Sequence, residues 1–296
     1  MTELSPERRA LVDSLAARLG EIPGVAAVVL GGSFARGFAT ADSDIDLGVL
    51  YREAAPFAVE RVRALAAEVD DSRAPVVTDF WVWGPWVNGG AWLTVRGQRV
   101  DFLYRSVEQL ERVIADAHAG RFELHYGQLP PFGYLSATYL GDLDVCVPLV
   151  DPTGLVAALK RRVRVYPEAL RRALVQAYLW ASEFTLESFA VKFAKRGDVL
   201  GTAGCLTRVA HQLVRVLFAL NRRHLLSDKT ALAEIASFAD APRDFGARVT
   251  RALAHVGETP EELARSVGAL AELVGETLRL CGPLYQRPYP RPTSEQ

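Results

Sequence analysis

The spacing of apolar residues along this chain changes character once, and the change divides it. Near the start, Leu11, Val12, Leu15 and Leu19 recur at helical spacing behind Ser5, a capping residue, and Pro6, which suits a first helical turn. The run GVAAVVLG (24–31) then reads as a buried strand and IDLGVLY (45–51) as a second. FAVERVRALAAEV (57–69) returns to helical spacing. PVVTDFWVW (75–83), AWLTVRG (91–97) and QRVDFLYR (98–105) predict three more strands, the last two joined as a hairpin around Gly97. SVEQLERVIADAH (106–118) predicts a helix, GQLPPFGYL (127–135) is irregular, and DVCVPLVD (144–151) offers one further strand.

Beyond Asp151 the strand signals stop. Long helical patterns occupy 167–195, 201–223, 230–238 and 259–281, with Thr259, Pro260 and Glu262 marking the start of the last. The pattern predicts an α+β chain: an N-terminal α/β domain with a mixed sheet over 1–105, a connecting segment over 106–155, a helical bundle over 156–285 and a Pro-rich tail over 286–296.

Composition narrows the function classes. Half of the 296 residues are apolar and 23% are charged, as in globular domains. The 34 Lys and Arg residues nearly cancel the 35 Asp and Glu, and there is no long basic run, so no duplex nucleic acid partner is expected. Cys146, Cys205 and Cys281 lie far apart in apolar surroundings and read as buried thiols. The opening MTELSPERRA lacks the apolar run of a signal peptide, and no segment approaches the length needed to span a bilayer. A cytoplasmic protein without a membrane partner is the expectation.

One stretch does not read as an ordinary strand pair: VVLGGSFARGFATADSDIDLGVLY, 28–51. Residues two apart on a strand share a face, so Asp44 and Asp46 lie side by side while Ile45, Leu47 and Val49 face a core. Two like charges held together repel, and a hard divalent cation such as Mg²⁺ removes the repulsion. Before them, Gly31 and Gly32 leave backbone N–H groups open to a ligand, and Ser33 opens a short helical turn that favours an anion. A phosphate cradle beside a metal site fits a nucleoside triphosphate. Asp101, alone in the apolar strand RVDFLY, supplies a third carboxylate whose burial otherwise lacks a reason.

Gly-Gly-Ser, then Asp-Ser-Asp-Ile-Asp, then a later strand Asp resembles the nucleotidyltransferase superfamily that includes DNA polymerase β. The order of an α/β domain followed by helices is similar to bacterial antibiotic nucleotidyltransferases acting on kanamycin, streptomycin and lincosamides. The resemblance implies that Gly32 and Ser33, with Gly31, hold phosphates, and that Asp44, Asp46 and Asp101 bind two Mg²⁺ ions. It further implies that Asp101 serves the acceptor hydroxyl, and that ATP or another NTP is the donor substrate.

Other residues carry two readings each. Arg36 either braces Asp44 or touches phosphate, or forms an ordinary ion pair; Asp79 is either an alternative base or a strand-end polar group. Lys192 and Lys195 share a helix face with Arg196 and are candidates for phosphate contact or a solvated helix end; Lys229 is a further phosphate candidate. Glu183 and Glu187, four apart on one helix, repel unless a cationic substrate or an arginine compensates them. Trp81, Trp83, Trp86, Trp92 and Tyr126 wall an acceptor pocket or fill a core. The five histidines show no ligand spacing.

Three functions compete. The first is an enzyme transferring a nucleoside monophosphate, AMP from ATP, to a hydroxyl of a small molecule, an antibiotic or an unknown metabolite. The second is a protein-modifying adenylyltransferase resembling antitoxins of that kind. The third is a non-catalytic nucleotide-binding protein, against which the retention of Asp101 argues.

Overall fold

The computed structural model describes residues 4–289, which form two compact units: one of residues up to 117 together with 122–165, the other of 118–121 together with 166 onward. The fold is α+β. Unit one runs α1 (Pro6–Gly20), β1 (Val25–Leu30), α2 (Gly32–Arg36), β2 (Ile45–Tyr51), α3 (Val59–Val69), β3 (Val76–Val77), β4 (Gly90–Val95), β5 (Gln98–Ser106), α4 (Val107–His118), β6 (Leu124–His125), β7 (Tyr134–Leu135), α5 (Thr138–Val145), β8 (Val147–Val150) and α6 (Leu155–Val163). Ser5 caps α1 by accepting the Arg8 N–H at 3.3 Å.

Six strands form one mixed sheet in the order β3-β4-β5-β2-β1-β8. Only β2 and β5 pair in parallel. One face of this sheet is the core. Ile45, Leu47 and Val49 of β2 and Val100, Phe102 and Tyr104 of β5 are fully buried, and they pack with apolar residues of α1 and α3. Each such side chain contributes about 1.5–3 kcal/mol by burial, so the strands are fixed in register. The alternate residues therefore point to the other face, where the aspartates lie. The β4–β5 hairpin turns at Arg96 and Gly97, both with positive φ, and the Asp71 carboxylate accepts both N–H groups at 3.0 and 2.8 Å.

Two expectations for this region need correction. The strand predicted over 75–83 is only Val76–Val77; the rest is a turn. Alternating aromatics imitate a strand there, but Asn88 organises a loop instead: its Oδ1 accepts the Trp81 N–H at 2.8 Å, its carbonyl accepts the Trp83 N–H at 2.9 Å, and its Nδ2 donates to the Tyr51 hydroxyl at 2.8 Å. The segment expected to connect two domains belongs largely to unit one, because β8 pairs antiparallel with β1 and extends the sheet. Lys160 ties α6 to the end of α5, donating to the carbonyls of Leu143, Asp144 and Cys146 at 3.0, 2.6 and 2.7 Å.

Unit two is helical: α7 (Glu168–Thr185), a π-helical turn (Leu186–Ala190), α8 (Val191–Lys195), α9 (Val199–Leu220), α10 (Ala231–Ile235), α11 (Phe245–Ala254) and α12 (Pro260–Cys281). The helix predicted over 167–195 is thus α7 and α8 joined through a wider turn. Thr259 and Glu262 form the expected capping box. Among the described residues one helix is long and apolar enough to cross a bilayer, contrary to expectation: α9 has 22 residues, and an 18-residue window of it has a mean hydropathy of 1.2. Its apolar window is 72% buried inside the protein, as a core helix requires.

The like-charge pair on α7 is answered by an arginine. Arg287, beyond α12, donates to Glu183 Oε1 at 3.0 Å and also pairs with Glu187, while the Tyr285 hydroxyl donates to Glu183. Gln176 and Gln286 add two backbone–side-chain bonds of 2.7 and 3.0 Å, so residues 285–287 lie as a strap along the helix. Glu183 is only 5% exposed in its side chain. Arg287→Ala is expected to cost about 1–3 kcal/mol, because it strands a buried carboxylate. Thermal melts check this, and adding Glu183→Gln should return most of the loss. Of the predicted tail, residues 290–296 lie outside the described residues.

Candidate active site

Register on this second face brings the acids together. Asp46 of β2 pairs directly with Asp101 of β5 in the parallel ladder, on strands about 4.8 Å apart in the hydrogen-bonding direction. Asp44 stands just before β2. The Asp46 carboxyl is pushed up from 3.8 to about 7, chiefly by burial, then by the charges of Asp101, Asp44 and Asp142, with Arg105 opposing. Asp101 is raised to about 6, by burial first and Asp44 second, with Arg99 opposing. Both shifts mark carboxylates held where charge is costly unless a cation joins them.

The glycine turn sits against this pair. The Gly31 N–H donates to the Asp46 carbonyl at 2.9 Å, tying the end of β1 to β2. Gly32 has φ +58, and a Cβ built there would lie 2.6 Å from Asp46 Cγ and overlap its Oδ2. Only glycine fits, for conformation and for space. Ser33 follows in the single turn of α2, its carbonyl accepting the Phe38 N–H at 3.0 Å.

Asp44 is differently engaged. Its Oδ1 lies 2.5 Å from Arg99 Nε, yet out of line for a hydrogen bond, so this shielded oxygen is a buried acceptor without a donor. Arg99 also donates to the Asp42 carbonyl at 2.7 Å. As the side chains stand, no three His, Cys, Asp or Glu groups among the described residues converge on a point where a metal ion could sit. The expected three-carboxylate set is therefore not closed: Arg99 compensates the Asp44 charge. The donor chemistry nevertheless fits a hard cation, with a registered carboxylate pair at raised pKa beside the third acid.

Sequence reasoning missed the cations and acids around Asp46. Arg99 and Arg105 share a face of β5 with Asp101, by alternation, and were legible as such. Arg105 lies over the Tyr139 ring at 5.3 Å, and its charge favours the ionised forms of both Asp46 and Asp142. Asp142 comes from α5, and no local signal tied it to β2. Arg36, expected near Asp44 or phosphate, packs over the Phe38 ring at 5.2 Å and acts electrostatically on Asp142. Asp79 is exposed and paired with Arg63, apart from the acid row. Trp86 is buried beside Tyr134 and Tyr139. Lys192 and Lys195 are exposed on α8, and Lys229 is exposed after α9, all in unit two.

Known proteins resemble this chain in parts. Residues 12–106 match the family model described as "Nucleotidyltransferase domain", and residues 142–229 match a "Domain of unknown function (DUF4037)". No curated protein matches the sequence. Among solved structures, a nucleotidyltransferase-like protein from Exiguobacterium sibiricum 255-15 is similar at 12% identity and a TM-score of 0.44, with 92% of this chain and 76% of that chain covered. The match over 12–106 takes in the glycine turn, Asp44, Asp46 and Asp101, and it supports nucleotidyl transfer as the general chemistry of this chain.

Proposed function

We propose that unit one transfers a nucleoside monophosphate, AMP from ATP, to a hydroxyl of a small-molecule acceptor and releases pyrophosphate. The observation that carries this reading is the direct pairing of Asp46 with Asp101 beside a turn that only Gly32 can make. Asp44, Asp46 and Asp101 would hold Mg²⁺, which when bound neutralises triphosphate charge and eases loss of the hydroxyl proton.

The chain's own residues do the rest. Gly31, Gly32 and Ser33 present backbone to the β- and γ-phosphates without side-chain obstruction. Asp101, on the far side of Asp46 from that turn, accepts the hydroxyl proton. The acceptor oxygen forms the new bond to the α-phosphorus as the bond to pyrophosphate breaks, and orientation supplies much of the rate.

The test is a screen of hydroxyl acceptors with MgATP, read by pyrophosphate release, with Asp46→Asn as the blank. Release above the blank with a small molecule supports the reading. Labelling of a polypeptide by AMP instead would favour the protein-modifying alternative, and nucleotide binding without turnover under every condition would favour a binding protein.

A further inference from the structure

The face of the unit-one sheet that bears the acids also carries aromatic residues next to them. Register places Val76, Trp92, Asp101 and Asp46 in one row across β3, β4, β5 and β2. Directly paired residues share a face, so Trp92 neighbours Asp101 on one side as Asp46 does on the other. Trp92 is 53% exposed, although an indole is costly to leave in water. Trp83 stacks on it, with ring centres 4.8 Å apart and planes inclined by 16°. At Gly90, two residues before Trp92, a Cβ would overlap the Phe102 carbonyl oxygen of β5 and would also come within 3.1 Å of Trp83 Cη2. The two stacked indoles form one aromatic wall.

Strand order decides which substrate the wall meets. The Gly31–Gly32 turn leaves the end of β1, and β1 lies on the opposite side of β2 from β5. Across the sheet the sequence is therefore phosphate turn, Asp46, Asp101, Trp92. Donor phosphates belong at the first end and the wall stands at the last. We infer that Trp92, backed by Trp83, is the acceptor subsite, taking a hydroxyl compound whose hydroxyl sits on or beside a ring laid flat on the indole. Sugar rings, through their C–H face, and aromatic rings, through their π face, share this chemistry. The inference rests on the proposed transfer for its direction, and Trp92 becomes a specificity residue for the acceptor.

Binding and turnover can be read separately. The full chain, its Asp46→Asn variant, and Trp92→Ala and Trp92→Phe are titrated with methyl α-D-glucopyranoside, 4-hydroxybenzyl alcohol, glycerol and MgATP, using ligand-observed NMR. At least one ring probe is expected to bind wild type and Asp46→Asn alike, to weaken about tenfold in Trp92→Ala, and to recover in part in Trp92→Phe. MgATP affinity should stay unchanged in the two Trp92 variants, and glycerol should not discriminate. Which ring probe responds separates the sugar source from the aromatic one. Loss of MgATP affinity in Trp92→Ala would make the wall a nucleobase platform and overturn the inference. Equal ring binding in all variants, or none in wild type, would also overturn it. Ring binding in a protein that never releases pyrophosphate would keep the subsite and remove only the proposed transfer.

Discussion

Asp46→Asn is expected to lower nucleotidyl transfer by at least about a thousandfold while making the cation-free protein more stable at neutral pH. The loss follows from removing a carboxylate that holds cations against the developing charge, a contribution of about 4 kcal/mol or more. The gain follows from linkage. Burial, then Asp101 and Asp44, raises the Asp46 carboxyl from 3.8 to about 7. Between those values the folded chain keeps a proton that the unfolded chain has released. Stability from this group is therefore full below about pH 4 and is lost as the pH rises toward about 7. Urea denaturation with a chelator, from about pH 4 to about pH 8, reads the difference between wild type and Asp46→Asn. That difference should move against wild type across the interval and level off above it. Parallel curves would show that Asp46 is not held at a cost, and the site would lose its electrostatic rationale.

Gly32→Ala should come next in size, with activity lowered about a hundredfold and stability by about 1–3 kcal/mol. Two effects combine there: φ is +58, and the new Cβ would occupy the space of the Asp46 carboxylate. Gly97→Ala is the matched control. Its φ is +73, yet nothing lies within 4 Å of an added Cβ, so it should show backbone strain of about 1 kcal/mol and full activity. Calorimetry and pyrophosphate release on the two variants separate strain from displacement. Equal activity in both would mean that the close approach of turn and acid has no bearing on catalysis.

The parts of this molecule written in short-range pattern were legible from sequence. Alternation in IDLGVLY and RVDFLY put Asp46 and Asp101 opposite a core, and the ladder then paired them directly. Caps at Ser5 and Thr259 were equally local signals. What escaped depends on distant partners. Arg287 answers Glu183 from more than a hundred positions away, Asp142 reaches the site from α5, and Arg99 takes Asp44 through a strand-to-loop contact. The turn after Val77 was misread because aromatic alternation imitates a strand, whereas the fold there is decided by three hydrogen bonds of the buried Asn88.

The parallel pair at the centre of the sheet has a consequence for how this chain can vary over time. Interior and chemistry are written on alternate letters of the same two words, so a single inserted or deleted residue ahead of Asp46 in β2 would drive a carboxylate inward and an aliphatic group outward. The connecting loops can lengthen one residue at a time, but β2 and β5 can change only by even steps. Descendants that keep a sound interior here will therefore keep their acids aimed outward as well.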